Sequence, residues 1–122
     1  MKLHATVVTG LNTFTGYGEG YVSVHGARHE RNLIVLPERI LEWGAQSFDE
    51  LCEADFTALA TLGLEVVLLG TGSRQRFPHP RLIRCLSEAR IGVEAMDVQA
   101  ACRTYNILAA EARKVAAALL LR

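Results

Sequence analysis

Cysteine is scarce in these 122 residues: Cys52, Cys85 and Cys102 are the only three, and no pair of them has the close spacing of a metal or redox motif. That excludes a disulfide framework and a cysteine-based zinc site. The expectation is three reduced thiols acting as small buried hydrophobes. Only Cys102 keeps company polar enough to be considered a reactive thiol. Net charge is lacking as well, with 13 basic against 13 acidic side chains. A general nucleic-acid binder carries a basic excess, so no nucleic-acid partner is expected. The longest unbroken apolar run, residues 115–121, is far shorter than the ~20 residues that span a bilayer. No apolar stretch after Lys2 ends in a small-residue cleavage site, which argues against a secretory signal.

What is present is apolar substance. Half of the residues are hydrophobic, which excludes disorder. A chain of this length buries about two-thirds of its unfolded surface and forms a core without a staple. One domain over residues 1–122 is the expected organisation. The charge balance hides an asymmetry: residues 1–65 hold nine acids and four bases, and residues 66–122 hold nine bases and four acids. Glu42, Asp49, Glu50, Glu53 and Asp55 form an acidic segment, and Arg74, Arg76, Arg81, Arg84 and Arg90 form a basic one. Arginine suits bidentate carboxylate or phosphate contacts. The two segments are expected either to be solvated, to neutralise one another, or to serve as a contact surface.

The N-terminal half reads as β-structure. Residues 21–25 alternate, and residues 32–36 are a β-rich apolar run, with residues 26–29 as a hairpin connection between them. Gly16, Gly18 and Gly20 predict a bulged or bent strand upstream. After Pro37, residues 39–43 read as a short extended segment with Trp43 turned inward. Asp55 is placed to cap a short helix over 56–62 that ends at Gly63.

The C-terminal half reads as β-α-β-α. Residues 65–70 form a continuous apolar run, the pattern of a strand covered on both faces. A helix follows from about Pro80 to Ala89 with Gly92 beyond its end, then a strand over 91–96. Asp97 caps a long helix running from Val98 to about Leu121, with an apolar stripe at spacings of three and four. Such lengths predict parallel neighbouring strands.

In this arrangement ligands bind at the carboxyl ends of the parallel strands. There Gly70 and Gly72 permit close backbone approach, while Thr71, Ser73 and Arg74 are donors for an anion. The Gly70-Thr71-Gly72 sequence lacks the third glycine of a dinucleotide fingerprint and the Gly-Lys-Ser/Thr of a phosphate loop, so a structural turn is the competing reading. Asp97 is a candidate carboxylate that also reads as a helix cap. Arg103 and Asn106 share a helix face and are expected to reach the preceding loops together. Tyr105 fits the inward stripe. His25 and His29 bracket a turn, and His4 and His79 are isolated, so no metal site, cofactor or catalytic nucleophile is identified.

Leu69-Gly70-Thr71-Gly72, residues 92–97 and above all Ala101-Cys102-Arg103-Thr104-Tyr105-Asn106 carry a resemblance, joined by Pro37, Trp43, Phe77 and Pro80. The chain resembles a widespread family of small proteins of unknown function from bacteria and archaea that includes a mitochondrial complex I assembly factor. The resemblance implies a three-layer α/β domain with a mixed sheet of about five strands, and no established catalysis. It also implies protein partners and, without an arginine-rich transit extension, a bacterial cytoplasmic setting. Two functions follow as expectations. One is a non-enzymatic interaction module for a larger, membrane-associated complex, with Arg76, Arg81 and Arg84 on its contact surface. The other is a small-anion or metabolite site, enzymatic or not, at Gly70, Thr71, Gly72, Ser73, Arg74, Asp97, Arg103 and Asn106.

Overall fold

A computed structural model of the chain describes residues 10–122, so His4 and the start of the stretch following Lys2 lie outside the described residues. Strands β1 (Phe14–Gly18), β2 (Tyr21–Val24) and β3 (Ala27–His29) form a small antiparallel sheet in that order. The register shifts between Phe14 and Gly16, the bulge that the glycine spacing predicted. Residues 26–29 are not the connection expected of them. His25 and Gly26 alone make the turn, with φ of 51° and 80°, and Ala27–His29 pairs back onto β2. A two-residue turn with both central residues at positive φ matches the twist of a hairpin.

The larger sheet takes β4 (Leu33–Val35), β5 (Ile40–Glu42), β6 (Val66–Thr71), β7 (Gly92–Met96) and β8 (Val115–Leu120), in the order β5-β4-β8-β6-β7. β6 runs parallel to β7 and β8, whereas β4 is antiparallel to β5 and β8, so the sheet is mixed as expected. Between β5 and β6 lie α1 (Ala54–Thr57) and a following 3-10 turn, Ala58–Thr61, in place of one helix over 56–62. Asp55 sits inside α1 rather than capping it, and its carboxylate accepts from the Cys52 N–H at 2.9 Å. Between β6 and β7, Pro80 opens a 3-10 turn that passes into α2 (Arg84–Glu88). α3 (Val98–Ala110) then connects β7 to β8.

The long helix to Leu121 is the main correction. α3 stops at Ala110, and residues 115–120 form the central strand β8, buried throughout. Alanine favours helix and gave those residues a helical spacing by coincidence. Packing overrides that preference, because β8 lies between β4 and β6 and is covered on both faces. Val115, Ala117 and Leu119 join one core cluster, and Ala116, Ala118 and Leu120 join the other. Neither stop signal is a glycine. Ala112 adopts φ 61°, its N–H reaches the Ala109 carbonyl at 3.0 Å, and the Arg113 N–H reaches Leu108 at 3.0 Å. This is the two-bond left-handed helix ending usually reserved for glycine. α2 ends the same way at Arg90, also at φ 61°, where Gly92 had been expected to act.

One face of the large sheet packs α3 together with Phe14, Tyr17, Val22 and Val24 of the small sheet. The opposite face packs Trp43, Phe56, Leu59 and Leu86 from the α1 and α2 side. Trp43 is turned inward as expected, its ring edge-on to Phe56 and its indole N–H donating to the Asp55 carbonyl at 2.8 Å.

Candidate functional site

At the carboxyl end of β6 the backbone geometry is set by packing. A Cβ on Gly70 would stand 2.6 Å from Leu119 Cδ2 and 3.4 Å from both Ala101 Cβ and the Val98 backbone, so glycine makes room for the Leu119 side chain of β8 beneath α3. Gly72 holds φ 76°, and its carbonyl accepts from the Val98 N–H at 2.9 Å. Thr71 is buried, with its hydroxyl 2.7 Å from the Arg74 carbonyl and 3.2 Å from that of Met96. The same oxygen accepts from the Arg76 N–H at 3.0 Å. One hydroxyl thus ties the loop after β6 to the end of β7.

The remaining residues expected at this end separate. Asp97 caps α3, accepting from the Ala100 N–H at 2.9 Å. Asn106 is buried and clamps one residue of β1, donating to the Phe14 carbonyl and accepting from the Phe14 N–H, both at 2.9 Å. Arg103 donates to the Tyr17 hydroxyl at 3.2 Å. Both therefore reach β1 and not the glycine loop. Ser73 and Arg74 are exposed, and Gly72 and Ser73 border a shallow cleft of about 780 Å³ closed on its other side by the Gly18–Gly20 turn and Arg122.

The thiols differ among themselves. Cys102 is fully buried, and desolvation pushes its thiol up to about 12, with Arg103 pulling weakly the other way. A group so placed is no nucleophile at neutral pH. Cys85 is half-buried and Cys52 is exposed, a correction to the expectation that all three are internal. Burial also raises the Tyr105 hydroxyl, which donates to the Asn12 carbonyl at 3.0 Å.

The arginine segment behaves in two ways. Arg76 lies 4.1 Å over the Phe48 ring and pairs with Asp49 at 2.8 Å, so the acidic and basic segments neutralise one another at one point. Arg81 and Arg84 are exposed and make no ion pair among the described residues. Within the same segment Phe77 is 74% exposed. Sequence reasoning missed its exposure. The available signal was an aromatic outside any periodic apolar run, in a loop punctuated by Pro78 and Pro80.

These features define an α/β domain whose strand ends and buried polar side chains are tied to its own backbone, and whose outward loop carries arginines around one bare aromatic ring. The chain belongs to the family described as protein of unknown function (DUF498/DUF598), which matches residues 14–120. The NADH dehydrogenase (ubiquinone) 1 alpha subcomplex assembly factor 3 of Bos taurus is 33% identical over 103 residues, covering 83% of this chain and 55% of that protein. The chain spans about half the length of the curated assembly factors it matches first. An uncharacterised protein of Rhodobacter capsulatus is 37% identical over 108 residues, covering 86% of this chain and 81% of the other. A crystal structure of a Bordetella parapertussis protein is 43% identical, with a TM-score of 0.86 over 93% of this chain and 98% of that one. Among the described residues no helix is long and apolar enough to cross a membrane.

Proposed function

We propose that this protein is a non-enzymatic interaction module that assembles or stabilises a larger protein complex, respiratory or otherwise membrane-associated. The observation that carries the reading is the similarity, over four-fifths of this chain, to a protein named as an assembly factor of the NADH dehydrogenase (ubiquinone) 1 alpha subcomplex. The exposed Arg81 and Arg84 support it, because guanidinium groups that pair with no carboxylate among the described residues can fork onto a partner's. Arg76 contributes from the flank, held by Asp49 and Phe48. The protein works from the cytoplasm and meets the membrane only through its partner.

The test is quantitative affinity capture from gently solubilised native cells with wild type and with Arg81→Glu/Arg84→Glu. Respiratory-complex subunits enriched by wild type and lost in the variant are the expected result, with the melting temperature of the variant unchanged. Equal capture by both would remove these arginines from the contact surface. Absence of any specifically enriched protein would overturn the reading and make the strand-end loop the next place to test, with small anions.

A further inference from the structure

Phe77 is the most exposed of the large hydrophobic side chains among the described residues, and the loop that carries it is held on both sides. Gln75 Nε2 donates to the Ala95 carbonyl at 2.8 Å, and the Arg76 N–H donates to Thr71 Oγ1 at 3.0 Å. Beyond the ring, His79 Nδ1 accepts from the Arg81 N–H at 3.1 Å, between two prolines that fix their own φ. A phenylalanine left in water forgoes the free energy of burial. A floppy loop would fold that ring onto the surface; this one is tied to the sheet at 75 and 76, runs into a capped turn at 79, and presents it. Arg74 precedes the ring and Arg81 and Arg84 follow it, all exposed and without an ion pair among the described residues. A preformed aromatic flanked by arginines is the composition of an interface hot spot.

We propose that Phe77 is the anchor of a protein-docking surface whose partner offers an apolar pocket rimmed by carboxylates. This rests on the reading that the protein works through protein partners, and it specifies the chemistry of the contact. Arginine forks match carboxylates in bidentate geometry, and a single ring fills a pocket. An anionic bilayer fits less well. The Arg76–Asp49 bridge draws the acidic segment up beside the loop, so a broad anionic surface would meet the exposed Asp49, Glu50 and Glu53 as well, whereas a few carboxylates at the rim of a pocket need meet only the arginines on either side of the ring.

The experiment places the photo-crosslinking residue p-benzoylphenylalanine at position 77, and as a control at the exposed Ile107 of α3, and irradiates gently solubilised native cells. Capture is measured in parallel with Phe77→Ala, whose melting temperature is expected to match wild type because the ring packs on little. The expected result is a crosslink from position 77, absent from 107, to one protein segment in which an apolar residue is flanked by Asp or Glu. Capture by Phe77→Ala is expected to fall about tenfold or more, and to weaken for wild type between about 50 and 300 mM salt. Crosslinks chiefly to lipid, equal crosslinking from 77 and 107, or undiminished capture by Phe77→Ala would each overturn the proposal. Respiratory subunits captured equally by wild type and Phe77→Ala would sink this inference while leaving the assembly role standing. A 77-specific, acid-flanked crosslink to a protein outside any membrane-associated complex would do the reverse.

Discussion

On the face of the sheet that carries α3, buried polar groups are fastened one by one to main chain: Asn106 clamps Phe14, the Tyr105 hydroxyl holds the Asn12 carbonyl, and the Asn12 amide holds that of Leu36. The face carrying α1 and α2 is closed by short helical turns around Trp43 and Phe56, and an arginine loop projects at its rim. The first face joins two sheets and must fix their relation. The second leaves its loop free of that duty, so exposed side chains there can change without disturbing the core. If that loop is the docking surface proposed above, structure and recognition are divided between the two sides of one sheet.

Thiol reactivity should show the widest gap between the faces. At pH 8 Cys52 is expected to react freely with a disulfide reagent, while Cys102 reacts at least about a thousandfold more slowly, through unfolding. Comparable rates measured on Cys52→Ser/Cys85→Ser and Cys85→Ser/Cys102→Ser variants, each keeping one thiol, would break the comparison. The same burial gives a pH signature. The folded state keeps protons on Cys102 and Tyr105 that the unfolded chain releases from about pH 9 upward. Their contribution to stability is fully present below that pH and declines as pH rises towards 12, which urea unfolding across that window will detect.

Next in size is Asn106→Leu, which orphans both the N–H and the carbonyl of Phe14 in a buried setting. A loss of about 2–4 kcal/mol is expected. Trp43→Phe on the other face removes one hydrogen bond and some volume, for about 1–2 kcal/mol. Chemical denaturation that ranked the two in the opposite order would mean that the polar clamps are not what distinguishes the faces.

The smallest effect runs the other way. Ala112→Gly relieves a left-handed backbone strain at the end of α3, and Arg90→Gly does so at the end of α2. Each should gain about 0.5–1 kcal/mol. A loss at either position in thermal melts would show that the side chain contributes a contact outweighing the strain.

Those two positions also explain what the sequence concealed. β6 was legible because the unbroken run Val66-Val67-Leu68-Leu69 is suited to a strand covered on both faces, and Asp97 because a cap stands directly before its helix. β8 was not, since its three alanines and lack of β-branched residues beyond Val115 look helical and no glycine marks the break at Ala112. Long-range pairing with β4 and β6 decides its state, and local pattern carries no trace of that. The strand-end glycines were recognised as positions of close approach, but what approaches Gly70 is the Leu119 side chain of β8, with α3 packed beyond it. Asn106 was singled out as a polar residue that would reach the preceding loops together with Arg103, and it reaches β1. Its partner, Phe14, lies 92 positions away and no spacing rule reaches it.

The placement of β8 also governs how the chain reaches this state. β4 with β5, and β6 with α2 and β7, are near neighbours in sequence and can pair early, yet both half-sheets end on the edge that β8 will occupy. Until residues 115–120 leave the ribosome those edges stay open, with unpaired backbone groups and both hydrophobic faces incomplete. The closing step joins segments about 80 positions apart, so folding should be slow for a protein of this size and most exposed to aggregation just before its last strand arrives.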